Sequence, residues 1–159
     1  MDYKNFLDDG IFEINTGKYS AAIENITKSI ELKNDWEISY FYRAVAYQAL
    51  EKYDLAMLDY TKALQINDKM TDAYYNKAQI ALTRKDIPNP DINKAIEDLE
   101  KAIELDSKFI DALYAMAAAY KKLGEYQKAV DFLDKLLNIE PEAIQARALK
   151  KLLLQKYLK

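Results

Sequence analysis

Neither cysteine nor histidine occurs anywhere in the 159 residues. Without cysteine there is no disulfide framework and no thiolate nucleophile. Without histidine there is no zinc site of the Cys/His kind and no histidine-based catalytic triad. Glycine and proline are scarce, three of each, too few to punctuate the many short strands of a sandwich or barrel, so long helices are expected. No stretch reaches the ~18 consecutive apolar residues of a spanning helix. The N-terminus, Met1-Asp2-Tyr3-Lys4-Asn5-Phe6, has no basic segment leading into an apolar run. Neither a signal peptide nor membrane insertion is therefore expected, and a cytoplasmic protein is. The net charge of -3 is small and mixed in sign. Electrostatics thus offers no general attraction to nucleic acid or an anionic membrane, and no nucleic-acid partner is expected.

Half of the residues are apolar, enough for a continuous core in one domain. Their spacing carries the organisation. Phe6, Tyr40, Tyr74 and Leu113 are separated by 34, 34 and 39 residues, as are Gly10, Ala44, Ala78 and Ala117. Tyr19, Tyr53, Ile92 and Tyr126 are separated by 34, 39 and 34, as are Ala22, Ala56, Ala95 and Ala129. Leu32, Ile66, Leu105 and Ile139 keep the same register. A single five-residue insertion explains all five series. It falls at Lys85–Asp91, read as an enlarged turn in which Asn89 caps the next helix and Pro90 fills its first turn. Each repeat holds two helical patterns, here termed helix A and helix B. The small residues of the second and fourth series let A and B approach closely, and a larger side chain there would overpack the contact by about 1–3 kcal/mol.

The order aromatic, small residue, Tyr, Gly-x-Tyr, Ala and Pro resembles the tetratricopeptide repeat. Repeat four carries it best, with Leu113, Ala117, Tyr120, Gly124, Tyr126, Ala129 and Pro141. Repeat three departs at Ala81, where the family has Tyr; repeat one departs at Asp9 and Glu13. The resemblance implies an all-α fold, a right-handed superhelical solenoid of four helix pairs plus a C-terminal capping helix. The repeats are expected at about 3–36, 37–70, 71–109 and 110–143, with the last helix at 144–158, in one domain over 1–159. Expected A helices are 3–15, 37–50, 71–84 and 110–123. Expected B helices are 18–32, 53–66, 91–105 and 126–138.

The resemblance also implies a protein-interaction scaffold whose A helices line a concave groove for a peptide or helix of a partner. Carried over position by position, the family's ligand-facing register falls on Leu7, Ile11, Phe41, Tyr42, Val45, Tyr75, Asn76, Gln79 and Tyr114. Such a surface is apolar and aromatic. The family's clamp for an acidic chaperone tail needs cations and amides that are not there: its positions hold Leu7, Ile11, Tyr42, Asp72 and Asn76. One repeat further on they hold Phe41, Val45, Asn76, Asp111 and Ala115, of which only Asn76 fits. A ligand carboxylate would meet Asp72 or Asp111, and like charges repel.

No catalytic constellation is found, and neither an enzyme, a metal site nor a cofactor is expected. The adjacent acids Asp8–Asp9 and Glu97–Asp98 point about 100° apart on a helix and do not converge. Glu97, Glu100, Lys101 and Glu104 read as a solvated face with surface pairs. Trp36 reads as packing at the junction of repeats one and two. The C-terminal helix has two apolar stripes, Ile144–Ala148–Leu152 and Leu149–Leu153–Tyr157, more than a cap needs. The excess leaves Leu153, Leu154 or Leu158 without an evident partner, so the alternative reading is a self-assembly module that forms a homodimer through this helix.

Overall fold

In the computed structural model, which describes residues 1–159, the chain is all-α. Nine helices run in order: α1 (Tyr3–Asn15), α2 (Tyr19–Leu32), α3 (Glu37–Ala49), α4 (Tyr53–Ile66), α5 (Thr71–Thr83), α6 (Ile92–Leu105), α7 (Ile110–Lys122), α8 (Tyr126–Ile139) and α9 (Ile144–Lys156). Every end lies within a residue of its expectation except that of α9, which stops at Lys156, two residues short. The chain divides into two compact units, Met1–Ala73 and Tyr74–Lys159.

Local chemistry fixes the element ends. At the start of α1 the Asp2 carboxylate accepts from Asn5 N–H at 3.0 Å, and Asn5 Oδ1 accepts from Asp2 N–H at 2.9 Å, a reciprocal cap. Three A helices stop at a left-handed residue: Gly17 (φ 77°), Glu51 (φ 57°) and Gly124 (φ 76°). The following N–H then folds back to the helix, Lys18 to Glu13 O at 2.8 Å, Lys52 to Tyr47 O at 2.9 Å and Glu125 to Tyr120 O at 2.9 Å. Glycine enters that conformation freely, whereas Glu51 costs about 1–2 kcal/mol there. Repeat three replaces this turn with its insertion, which Arg84 and Asp86 tie by paired contacts at 2.8 and 2.7 Å. The expected cap is corrected: Asp91, not Asn89, caps α6, its carboxylate accepting from Lys94 N–H at 3.0 Å. Pro90 thus sits just outside the helix, because a carboxylate is the acceptor that both reaches the third N–H and opposes the positive helix end.

The spacing series become the core. Gly10, Ala44, Ala78 and Ala117 are buried, and so are Ala22, Ala56, Ala95 and Ala129. At Gly10 the reason is metric, since a Cβ there would stand 2.4 Å from Ile26 Cγ1 and 3.3 Å from Ala22 O. Two further series on the B helices are equally buried and were not foreseen: Ile26, Tyr60, Leu99 and Leu133, and Ser29, Ala63, Ala102 and Leu136. In the N-terminal unit α1 packs on α2, α2 on α3 and α3 on α4, with Leu7, Ala22, Ile26 and Ala46 at one centre. Trp36 packs as expected, its ring 4.6 Å from that of Tyr3. In the C-terminal unit one core gathers Ala78, Leu82, Leu99 and Met116. Another gathers Leu113, Leu133, Leu136, Ala146 and Leu153.

Buried polar groups are satisfied in pairs. Ser29 and Ser39 hydroxyls bond at 3.0 Å. Arg43 grips Asp59 with both ends of its fork, at 2.7 and 2.9 Å, and donates to Thr27 at 3.1 Å. Burial opposes the charge on Arg43, but the Asp59 hydrogen bond and charge outweigh it and hold the guanidinium's pKa above its ordinary value. One repeat later, at the same two positions, stands the pair Lys77–Asp98, a single contact of 3.4 Å. Here burial wins and pushes the Asp98 carboxyl above the usual range, despite the opposing charges of Lys77 and Lys94.

Candidate peptide-binding surfaces

The A-helix residues assigned to a ligand face are distributed over both units. In the N-terminal unit, Phe41 and Tyr42 lie on α3 with rings edge to face at 5.3 Å. Together with Ile38 and with Met70, Thr71 and Asp72 from the loop before α5 and its first turn, they line a depression of about 320 Å³. Phe41 also leans on Tyr60 of α4, ring centres 5.7 Å apart, so it is shared between packing and surface. Val45 is half-buried and does not line the depression. Ile11 packs partly buried against the first core.

Leu7 is a correction. It is 4% exposed and sits among Ala22, Ile26 and Ala46, so it is a core residue with no face for a ligand. The position is the same in the repeat as that of Phe41, Tyr75 and Tyr114, which remain half-buried. The smaller leucine fits the space between helices that an aromatic ring overfills.

In the C-terminal unit, Tyr75 and Gln79 of α5 and Tyr114 of α7 converge on a cavity of about 540 Å³. The Gln79 side-chain amide donates to the Tyr75 hydroxyl at 2.6 Å, which fixes both polar ends. Phe109 braces the Tyr75 ring at 5.0 Å. The far wall comes from the end of α8 and the start of α9: Leu136, Glu140, Ala143, Ile144 and Ala146. Asn76 is half-buried and does not line this cavity. The contributions of Ile110 and of α9 were not foreseen. The family's ligand-facing register covers only the A helices of the four repeats, whereas α9 follows the fourth B helix in the place of a fifth A helix.

The arrangement offers apolar area and polar handles of the kind that hold a ligand. The polar side chains lining the cavity are the Tyr75–Gln79 pair, Tyr114, Gln145 and the carboxylates of Asp111, Glu140 and Glu142. No cluster of potential metal ligands forms, and no helix is long and apolar enough to cross a membrane. On the solvated face of α6 the pair Lys101–Glu104 forms at 3.2 Å, and Glu97 pairs with Lys94, outside the expected set, at 2.8 Å. They are exposed and contribute at most about 0.5 kcal/mol each.

α9 docks through Ala146, Leu149 and Leu153, while Tyr157 stacks on Tyr126 at 4.1 Å. The expectation that Leu153 lacks an intramolecular neighbour is therefore corrected: it is fully buried. Leu158 also packs against this core. Ile144, Leu152 and Leu154 remain exposed.

Three stretches match family models: residues 110–159 match the Fis1 C-terminal tetratricopeptide repeat, 91–124 the TPR repeat and 38–70 the tetratricopeptide repeat. The chain is 30% identical over 132 residues to the TPR repeat-containing protein MJ1428 of Methanocaldococcus jannaschii, covering 83% of this chain and 22% of that protein. It spans less than a quarter of the length of the first curated relatives it matches. Among solved structures it resembles the MamA protein, with a TM-score of 0.86 at 21% identity over 96% of this chain and 81% of that one. It also resembles the first TPR domain of Spaghetti (RPAP3) bound to the HSP90 peptide SRMEEVD. There the TM-score is 0.70 at 23% identity, over 77% of this chain and 93% of that one.

Proposed function

Because the chain is built of tetratricopeptide repeats, and so is a protein-interaction module, we propose that it holds a peptide or helix of a partner protein on its A-helix faces. The observation that carries this reading is the cavity shared by Tyr75, Gln79 and Tyr114. A tyrosine offers a large rigid apolar area at small entropic cost, with a hydroxyl at its end. Here one such hydroxyl is already oriented by Gln79, so little ordering remains to be done on binding. The aromatic depression at Phe41 and Tyr42 is a second anchor point in the N-terminal unit. The ligand is an apolar or aromatic segment, not an acidic tail of the kind the RPAP3 neighbour holds. Asp72 and Asp111 line the two surfaces, where they repel a carboxylate.

Peptide display against the folded chain, followed by titration of the selected peptide, tests the reading. Tyr75→Ala, Tyr114→Ala and Tyr42→Ala are each expected to weaken binding. An anchor residue at the centre of such a site is worth about 2 kcal/mol or more, roughly thirtyfold in Kd. Affinity unchanged by all three substitutions rules the surfaces out.

A second reading rests on the outer side of α9. Ile144 is 79% exposed, and Leu152 and Leu154 are each 43% exposed, an apolar surface that a second copy would cover. Sedimentation equilibrium at micromolar concentration decides it. A dimer abolished by Leu152→Lys with Leu154→Lys supports assembly through α9. A monomer, or a dimer indifferent to both changes, removes that reading.

A further inference from the structure

We infer that the cavity of the C-terminal unit selects a cationic segment, a lysine- or arginine-bearing stretch beside an apolar anchor. This inference rests on the peptide-binding reading of that same cavity. Three carboxylates line it, Asp111 at the start of α7, Glu140 at the end of α8 and Glu142 before α9, and no basic side chain does. Asp111 and Glu140 have no ion-pair partner. Glu142 meets only Arg147, at 3.1 Å on the exposed surface, where such a pair is weak and exchangeable.

The backbone also contributes to the field. α7 and α9 present their N-termini here without a side-chain cap, and α8 its C-terminus. A helix end carries roughly half an elementary charge, positive at the N-terminus and negative at the C-terminus. The helix ends therefore sum to about half a positive charge, which cannot offset the two unpaired carboxylates, Asp111 and Glu140. The sign of the site is set by its side chains.

The apolar part is equally defined. Ile110, Tyr114, Leu136 and Ile144 surround the space and would take a leucine- or phenylalanine-sized anchor. A long cationic side chain can lay its methylene stem along the same apolar wall while its charge reaches Glu140 or Asp111. The combination accepts a basic–apolar segment, excludes an acidic one, and leaves an uncharged one with the apolar contacts alone.

The test uses three fluorescent, terminally blocked nonapeptide pools. Each has one fixed phenylalanine and neutral filler, and they differ only in flanking positions fixed as Lys, Ala or Glu. Titrations by anisotropy use the full chain and the variant Asp111→Asn with Glu140→Gln and Glu142→Gln. All three changes lie on the surface, so an unchanged thermal melt is expected. The Lys pool should bind the parent about tenfold tighter than the Ala pool at low salt, the sum of a few exposed charge contacts. That gap should close in 0.5 M salt, where screening shortens to about 4 Å. It should also close in the triple variant, while affinity for the Ala pool stays the same.

Equal binding of the Lys and Ala pools, both weakened by Tyr114→Ala, overturns the charge selection and leaves the groove reading standing. A Lys-pool advantage that survives in the triple variant also overturns it, because the selecting charges then lie elsewhere. Tightest binding by the Glu pool would mean that the helix N-termini dominate, and overturns it too. If no pool binds, both readings fall.

Discussion

Arg43→Ala is expected to lower the unfolding free energy by about 3–5 kcal/mol, and the double change Arg43→Met with Asp59→Phe to recover most of that loss. Asp59 is 6% exposed and receives both of its charge-assisted bonds from Arg43. Truncating Arg43 leaves a buried carboxylate without its partner, which is the costly way to break such a pair. Replacing both members is different, because the charges and their desolvation costs leave together. The chain supplies its own precedent: at these two repeat positions repeat four carries Met116 and Phe132, which pack against the core. The pair at Lys77 and Asp98 is an intermediate case. Because burial raises the Asp98 pKa above its unfolded value, its stabilising share is fully present below the unfolded pKa. That share is lost as pH rises through the folded one. Urea melts of parent, single and double variants give the answer. A single-variant loss under about 1 kcal/mol, or a double variant no more stable than the single, contradicts it.

The helices and their partners were legible because a repeat writes each constraint several times. One glycine or alanine at an A–B contact says little, whereas four in one register describe a shared close approach. The same logic was available for Ile26, Tyr60, Leu99 and Leu133, but these differ in size and chemistry, so no single residue type marks the position. The Arg43–Asp59 pair was hidden for a related reason. Its repeat equivalents are a weaker ion pair in one case and an apolar contact in another, so identity is not repeated although the space is. Leu7 departs from its expected place because ligand-facing positions are defined by direction. Whether a residue pointing that way is also reachable depends on its size and on what the neighbouring helix presents, here Ala46 and Ile26. At α9 the sequence offered two apolar stripes of similar strength. The choice between them belongs to the surface of α8: Tyr126 stacks on Tyr157, and Asp134 takes Lys150 at 2.6 Å. The aromatic A-helix residues of the C-terminal unit were legible in the register, whereas their opposite wall was not, since it is built by the end of one helix and the start of another.

Leu153→Ala is expected to cost about 2–5 kcal/mol and to release α9, with loss of the cavity wall it supplies. The leucine is fully buried in the core formed by Leu113, Leu133, Leu136 and Ala146. Removing its side chain takes away transfer energy and leaves a cavity that the neighbouring alanines are too short to fill. The consequence reaches beyond stability. α9 has no side-chain cap at its N-terminus, and a helix of 13 residues is marginal in water without its tertiary contacts. Ile144, Gln145 and Ala146, its first residues, form part of the cavity beside Tyr114, so a loosened α9 opens the site that Tyr75 and Tyr114 floor. Leu154→Ala is the matched control. It sits one residue along on the exposed side, where truncation is expected to stay within about 0.5 kcal/mol. Amide hydrogen exchange separates the two directly. In Leu153→Ala the α9 amides should exchange far faster than those of α7, and peptide affinity should fall with them. In Leu154→Ala both should match the parent. Retained protection of α9 in Leu153→Ala would mean that the helix is held by Tyr157 and Lys150 at its edges rather than by the leucine at its centre.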